Sequence, residues 1–262
     1  MNEPAVLILY NLSKRYAGFE AVSGLSFSVG AGTITALIGP NGAGKSTTFN
    51  VISGLERPSF GSVVFEGTDI TAFPVYDRCH LGIGRTFQAP KVFDHLTVSE
   101  NIMVGLHGRS RSGLVRAGAR LPGFKAEERR IHEDAAHWLA FAGLEYLANR
   151  SAGALSFGEQ RALEFARAIA AKPKLLLLDE PTSGLTPSET EVFAAKLKAV
   201  VRDGVTVLIV EHDLPFITSI ADKVVVLAHG KKIYDGSVVG MRENEGVIDA
   251  YVGRPRNRDA RN

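Results

Sequence analysis

Gly39-Pro40-Asn41-Gly42-Ala43-Gly44-Lys45-Ser46 limits this chain more than any other stretch, set between the apolar run that ends at Ile38 and a helical pattern from Thr47 to Ser53. Strand, glycine-rich turn and helix, in that order, are the context in which G-x-x-x-x-G-K-[ST] wraps a polyphosphate. The glycines let backbone N–H groups turn inward, and the helix N-terminus adds partial positive charge. Lys45 carries a full charge to the β- and γ-phosphates, and Ser46 offers a hydroxyl to Mg2+. Residues Gly39 to Ser46, with Thr47 behind them, are expected to hold a nucleoside triphosphate.

The remaining composition narrows the class. With 262 residues, 45% of them hydrophobic, the chain can bury a sizeable core. No apolar run approaches the roughly 18 residues needed to span a bilayer, and the N-terminus lacks a basic signal-peptide start, so a soluble, cytosolic chain is expected. A single cysteine, Cys79, excludes an internal disulfide and argues against a zinc site. The net charge of +2 is unevenly spread: a local +3 over residues 253–262 and +4 over 108–123 (Arg109, Arg111, Arg116, Arg120) leave −5 for the body. Two basic patches on an acidic body are not the footprint of a general nucleic-acid binder.

Taken in order, Val6–Tyr10 and Ala21–Val29 read as strands around a glycine turn. Tyr16 between them either stacks on a nucleobase or is a half-buried tyrosine at a strand end. Gly82 to Gln88 reads as a short strand ending in Gln88, which alone is an ordinary surface glutamine. From Ala89 to Ala171 the pattern is helical. Thr97–Glu100 and Ser156–Glu159 have the capping-box spacing that starts a helix, and Thr186-Pro187-Ser188-Glu189 repeats it.

Leu175 to Leu178, followed by Asp179 and Glu180, suits a strand buried on both faces of a parallel sheet. Acids at the end of such a strand lie on the edge where α/β sheets bind ligands. Asp179 is placed to hold Mg2+, and Glu180 to accept a proton from an attacking water. A second buried strand, Val205–Val210, leads to His212, which could reach a γ-phosphate or be a plain loop histidine.

Together these motifs resemble the ATPase subunits of ABC transporters, over nearly the whole chain from Val6 to Gly253. They come in that family's order: Tyr16, Gly39–Ser46, Gln88, Leu155-Ser156-Phe157-Gly158-Glu159, Asp179-Glu180, Ser183-Gly184-Leu185 and His212. The resemblance implies an α/β P-loop NTPase core with a mainly parallel sheet, residues 1–88 and 172–253. It also implies an N-terminal antiparallel β subdomain, an inserted helical subdomain at 89–171, and a basic tail at 254–262. By the same resemblance Tyr16 stacks on adenine, Gln88 senses Mg2+ and couples to membrane subunits, and His212 positions the attacking water. Ser156 and Gly158 would contact ATP held by a second ATPase subunit, so the working unit would be a dimer. Permease subunits would be its partners, at the cytoplasmic face of the membrane.

Phe157, Glu159 and Thr186 depart from the family's usual glycine, glutamine, and aspartate or asparagine. Within the family the chain is most similar to importer ATPases for branched-chain amino acids. Arg85-Thr86-Phe87-Gln88, Gly184-Leu185-Thr186-Pro187-Ser188-Glu189-Thr190 and Val247-Ile248-Asp249-Ala250-Tyr251-Val252-Gly253 carry that likeness. Urea or amide importers share much of it. Lipid or polysaccharide exporters and non-transport ABC proteins are the competing readings.

Overall fold

The computed structural model describes residues 5–107 and 124–252. The arginine-bearing stretch over 108–123 and the basic tail at 254–262 lie outside the described residues. Residues 5–73 and 208–252 pack as one compact unit, and residues 74–207 as another, apart from that stretch.

The first unit begins with β1 (Ala5–Tyr16), β2 (Phe19–Gly30), β3 (Ile34–Ile38), α1 (Lys45–Ser53), β4 (Phe60–Phe65) and β5 (Thr68–Asp69). An antiparallel sheet of order β2-β1-β4-β5 forms because Leu7 and Leu9 alternate inward and are fully buried. A one-residue bulge follows, with Asn11 at φ 46° and the register shifting between Leu9 and Leu12. It moves the inward positions from odd to even, so buried Leu12 continues the same core. Ala17 and Gly18, both at positive φ, close the hairpin and set Tyr16 opposite Phe19.

The second unit carries α2 (Val75–Leu81), β6 (Ile83–Arg85), α3 (Val98–His107), α4 (Phe124–Ala142), α5 (Phe157–Ala170), β7 (Leu175–Asp179) and α6 (Pro187–Arg202). Helices α3, α4 and α5 share one apolar cluster that includes Val98, Ile102, Leu139 and Leu163. The boundary falls within β8 (Thr206–Val210). After it the first unit resumes with α7 (Leu214–Ile220), β9 (Lys223–Ala228), β10 (Lys231–Gly236), α8 (Val238–Glu243) and α9 (Glu245–Val252).

All residues of β3, β7 and β8 are buried, which is the signature of strands covered on both faces. Pairing is parallel between β3 and β9 in the first unit and between β6 and β7 in the second. The fold is thus α/β, with mainly parallel core strands beside an antiparallel sheet. Three expectations shift. Helix α1 starts at Lys45 rather than Thr47, because the chain leaves the left-handed Gly44 directly into helix. Strand β6 stops at Arg85, so Gln88 stands in the following loop rather than at a strand end. Helices α7 and α8 were not foreseen; each is short and starts at a side-chain cap, Asp213 and Ser237.

Candidate functional site

In the first unit the phosphate-loop sequence takes the form expected of it. Gly39 sits at φ 150°, and a Cβ there would stand 2.1 Å from the Leu227 carbonyl oxygen. At Gly44, φ 98°, a Cβ would stand 2.5 Å from the Ala21 carbonyl oxygen. Neither position tolerates a side chain without moving backbone. Gly44 is the N-cap of α1 and offers no side-chain cap, and no acid stands in the first turn. The helix therefore presents its N-terminal N–H groups without a carboxylate of its own. Lys45 is buried, and its ammonium donates to the Gly39 and Pro40 carbonyls at 2.7 and 3.0 Å, which holds it against the loop. Asn41, Gly42 and Ser46 are exposed, and Pro40 and Thr47 half-buried, while Ala43 is buried.

Tyr16 ends β1 with 38% of its surface exposed. The Lys14 ammonium lies 4.9 Å from its ring centroid. Glu56 at 2.7 Å and the Arg57 carbonyl at 2.9 Å anchor that ammonium in turn. His212, just past β8, is exposed, and its backbone N–H donates at 3.1 Å to Glu211 Oε2. Its Nδ1 is 3.7 Å from the same oxygen, and Glu211 is fully buried. The Gly39 backbone also reaches the hydroxyl of Tyr251 in α9; burial pushes that phenol up, against the effect of this hydrogen bond.

In the second unit Asp179 is buried at the end of β7 and accepts from Arg85 at 3.1 Å. Glu180 follows at φ 46°, a left-handed conformation that costs a residue with a side chain roughly 1–3 kcal/mol and recurs at functional sites. Its Oε2 accepts from the Gln88 amide at 2.8 Å, so these two sequence-selected residues are brought together. Buried Arg161 fixes the backbone around them, donating to the carbonyls of Gln88 at 2.8 Å and Ser183 at 3.1 Å.

Ser156 caps α5 in a full capping box. Its backbone N–H and hydroxyl donate to Glu159 Oε2 at 2.7 and 2.9 Å, and its oxygen accepts from the Glu159 N–H at 3.3 Å. Thr186 and Glu189 repeat the arrangement at α6. The backbone N–H groups of Ser156 and Thr186 hold the Glu159 and Glu189 carboxyls below the usual range. Gly158 faces Glu189, whose Oε1 would stand 2.9 Å from a Cβ there. Phe157 lays its ring on Gly184, where a Cβ would come within 2.8 Å of it, and Arg161 stacks on that ring at 5.2 Å. A cavity of about 420 Å3 opens beside this turn, with Tyr146, Ser156, Gly158, Glu189 and Lys196 in its lining.

Arg85, Arg161 and Glu211 did not stand out as site residues in the sequence. Arg85 and Glu211 could have been suspected from their places at the ends of core strands. Nothing marked Arg161 beyond its helix. Among the described residues no three His, Cys, Asp or Glu side chains cluster as a metal cage. A hydroxyl, an amide and one carboxylate, as in Ser46, Gln88 and Asp179, do suit Mg2+, which takes few protein oxygens and completes its shell with phosphate and water.

Residues 22–183 match the family model described as ABC transporter. The chain is 39% identical over 256 residues to the high-affinity branched-chain amino acid transport ATP-binding protein BraF of Pseudomonas aeruginosa, covering 97% of this chain and 99% of that one. It is 35% identical over 255 residues to LivG of Escherichia coli K12, a protein of the same description, with the same coverage. The crystal structure of a nucleotide-free ATP-binding cassette from an ABC transporter superposes with a TM-score of 0.82 at 33% identity, over 96% of this chain and all of that one. An ADP conformation of such a cassette gives 0.81, with the same identity and coverage. Sequence motifs, loop geometry and full-length likeness agree: the chain belongs to the ABC transporter family, as an ATP-binding, ATP-hydrolysing subunit.

Proposed function

We propose that this subunit powers a membrane importer of branched-chain amino acids. The reading rests on one observation above the others: near-complete, end-to-end likeness to transport proteins of that description. No helix among the described residues is long and apolar enough to cross a membrane. By the likeness to transport ATP-binding proteins, permease subunits supply the passage and this chain attaches to their cytoplasmic side.

The roles of the phosphate loop, Asp179 and Glu180 follow from their chemistry, and those of Tyr16, Gln88, His212, Ser156 and Gly158 from the family resemblance. Gly39 to Thr47 wrap the phosphates, Lys45 neutralises them, and Tyr16 stacks on adenine. Mg2+, when bound, draws charge from the β- and γ-phosphates, with Ser46, Gln88 and Asp179 as its protein oxygen donors. Glu180, at its left-handed backbone position, takes the proton from the attacking water, and Gln88 holds its carboxylate in place. His212 orients that water toward the γ-phosphate, its own backbone pinned by Glu211. Ser156 and Gly158 contact ATP bound by a second ATPase subunit, which makes the nucleotide the link between two chains.

Glu180→Gln keeps size and hydrogen bonding but removes the base. Hydrolysis should fall by at least about 100-fold while ATP still binds. The variant should then run as a dimer on gel filtration with Mg-free ATP and as a monomer with ADP. Adding Ser156→Arg should abolish that dimer without abolishing ATP binding. A double variant that dimerises as well as the single one refutes the shared nucleotide. Leucine, isoleucine and valine uptake by the importer reconstituted in vesicles tests the cargo, and uptake of urea or amides instead would replace it.

A further inference from the structure

The base end of the site in the first unit holds a charge to which no role has been given. Lys14 lies just before Tyr16 on β1, and only 13% of its side chain is exposed. Its ammonium stands over the Tyr16 ring, 4.9 Å from the centroid, so one face of that ring is covered. Neighbouring Arg15 goes elsewhere, to Glu20 at 3.2 Å and over the Phe60 ring at 5.4 Å. What holds the Lys14 ammonium comes from the far end of α1. Glu56, just past that helix, binds it at 2.7 Å, and the Arg57 carbonyl accepts from it at 2.9 Å. The same segment is tied down on both sides. The Glu56 N–H donates to the Asn50 carbonyl in α1 at 3.1 Å, and the Ser59 N–H to the Ser13 carbonyl in β1 at 2.7 Å. Ser59 Oγ in turn accepts from the Arg15 N–H at 3.0 Å. Helix α1 thus begins at the phosphate loop and ends at the residues that hold Lys14 over Tyr16.

An aromatic face is negative, so a second π-system laid on it meets repulsion along with dispersion. A cation against the opposite face is attracted to the ring and offsets that repulsion. Glu56 already matches the charge of Lys14, so the ammonium is poorly suited to act as one more phosphate cation. Its effect falls on the ring instead. We propose that Lys14 is a positioning residue for the base. Held by Glu56 on one face of Tyr16, it fixes the ring and leaves the other face as the adenine platform, at a distance from the phosphate loop set by α1. The inference rests on the reading of Tyr16 as the adenine stack given above.

Equilibrium titration of the full chain with ATP, and with tripolyphosphate, which has no base, tests it. Lys14→Met keeps the length of the side chain and removes the charge. It should weaken ATP about fivefold, the scale of one cation–π contact, and leave tripolyphosphate unchanged, which also reports that the phosphate loop is folded. Glu56→Ala, which frees the ammonium, should weaken ATP and spare tripolyphosphate in the same way. Arg15→Met, which removes the neighbouring charge, should change neither. In a Tyr16→Ala background, Lys14→Met should have no further effect on ATP. Equal losses for ATP and tripolyphosphate in Lys14→Met would make Lys14 a support of the fold or a phosphate cation, and overturn the inference. A Lys14→Met effect that persists undiminished without the Tyr16 ring also overturns it, as does an equal loss in Arg15→Met. Unchanged ATP affinity in Glu56→Ala overturns the anchoring by Glu56. If Tyr16→Ala weakens ATP and Lys14→Met does not, this inference alone fails. If Tyr16→Ala leaves ATP binding unchanged, the adenine stack itself is refuted.

Discussion

Helix α1, behind the phosphate loop, and helix α5, behind Ser156, begin in opposite ways. Gly44 gives α1 a bare, left-handed start with no side-chain cap and no acid in its first turn. Ser156 gives α5 a closed capping box, its hydroxyl and backbone N–H both committed to Glu159. Helices α3 and α6 are closed in the same manner by Thr97 with Glu100 and Thr186 with Glu189. Both kinds of terminus point N–H groups outward, but only the bare one leaves them to an outside anion. The difference teaches that a helix start used as a primary phosphate site forgoes the stabilising cap that α3, α5 and α6 take. Where Ser156 also meets a nucleotide, that contact competes with Glu159.

The harshest way to break the contrast is to give α1 a side chain at its cap. Gly44→Ala puts a Cβ 2.5 Å from the Ala21 carbonyl at φ 98°. Strain of about 1–3 kcal/mol and displaced N–H groups should weaken ATP by at least about 100-fold, read by equilibrium binding. Affinity close to the parent would show that the bare cap is not what holds the phosphates.

Smaller is the effect at the base end of the same site. Tyr16→Ala should cost ATP about 1–2 kcal/mol of binding, with Tyr16→Phe nearly neutral. A phenylalanine variant as weak as the alanine one would assign the contribution to the hydroxyl instead.

Opening the closed cap sharpens the comparison from the other side. Ser156→Ala should lower stability by about 1 kcal/mol, whereas Ser156→Gly should cost only a few tenths. Urea denaturation midpoints decide this, and equal losses in both variants would mean that the box adds little.

The smallest effect is a matter of pH. The Glu159 and Glu189 carboxyls are held down, chiefly by the backbone N–H groups of Ser156 and Thr186. Their contribution is therefore complete above the carboxylate pKa of the unfolded chain and fades as pH falls through the lower folded value. Replacing both by glutamine keeps the hydrogen bonds but removes the titration. The melting temperature of the double variant should decline less steeply below about pH 5 than that of the parent. Parallel acid limbs would show that other carboxylates dominate.

Local chemistry made much of this readable in advance. A capping box spans four positions, and a phosphate loop eight, so their residues meet wherever the chain goes next. All three boxes expected from the spacing are present, and β3, β7 and β8 lie close to where unbroken apolar runs put them. The end of β6 lies earlier than expected because its pairing ends with Arg85 opposite Leu177, although β7 itself runs on to Asp179.

What the sequence by itself determined is therefore the class of fold and the kind of ligand. Glycine, lysine, serine and buried strands in that order leave few other ways to satisfy backbone and charge. Only the tertiary structure decided which side chains face one another. Gln88 meets Glu180 across 92 residues and Arg85 meets Asp179 across 94. Arg161 ties α5 to the carbonyls beside Gln88, and buried Glu164 takes the backbone N–H of Lys91. Such contacts depend on the register of parallel strands and the packing of helices on them. Those are set by the sum of many small burial energies rather than by any short run of residues.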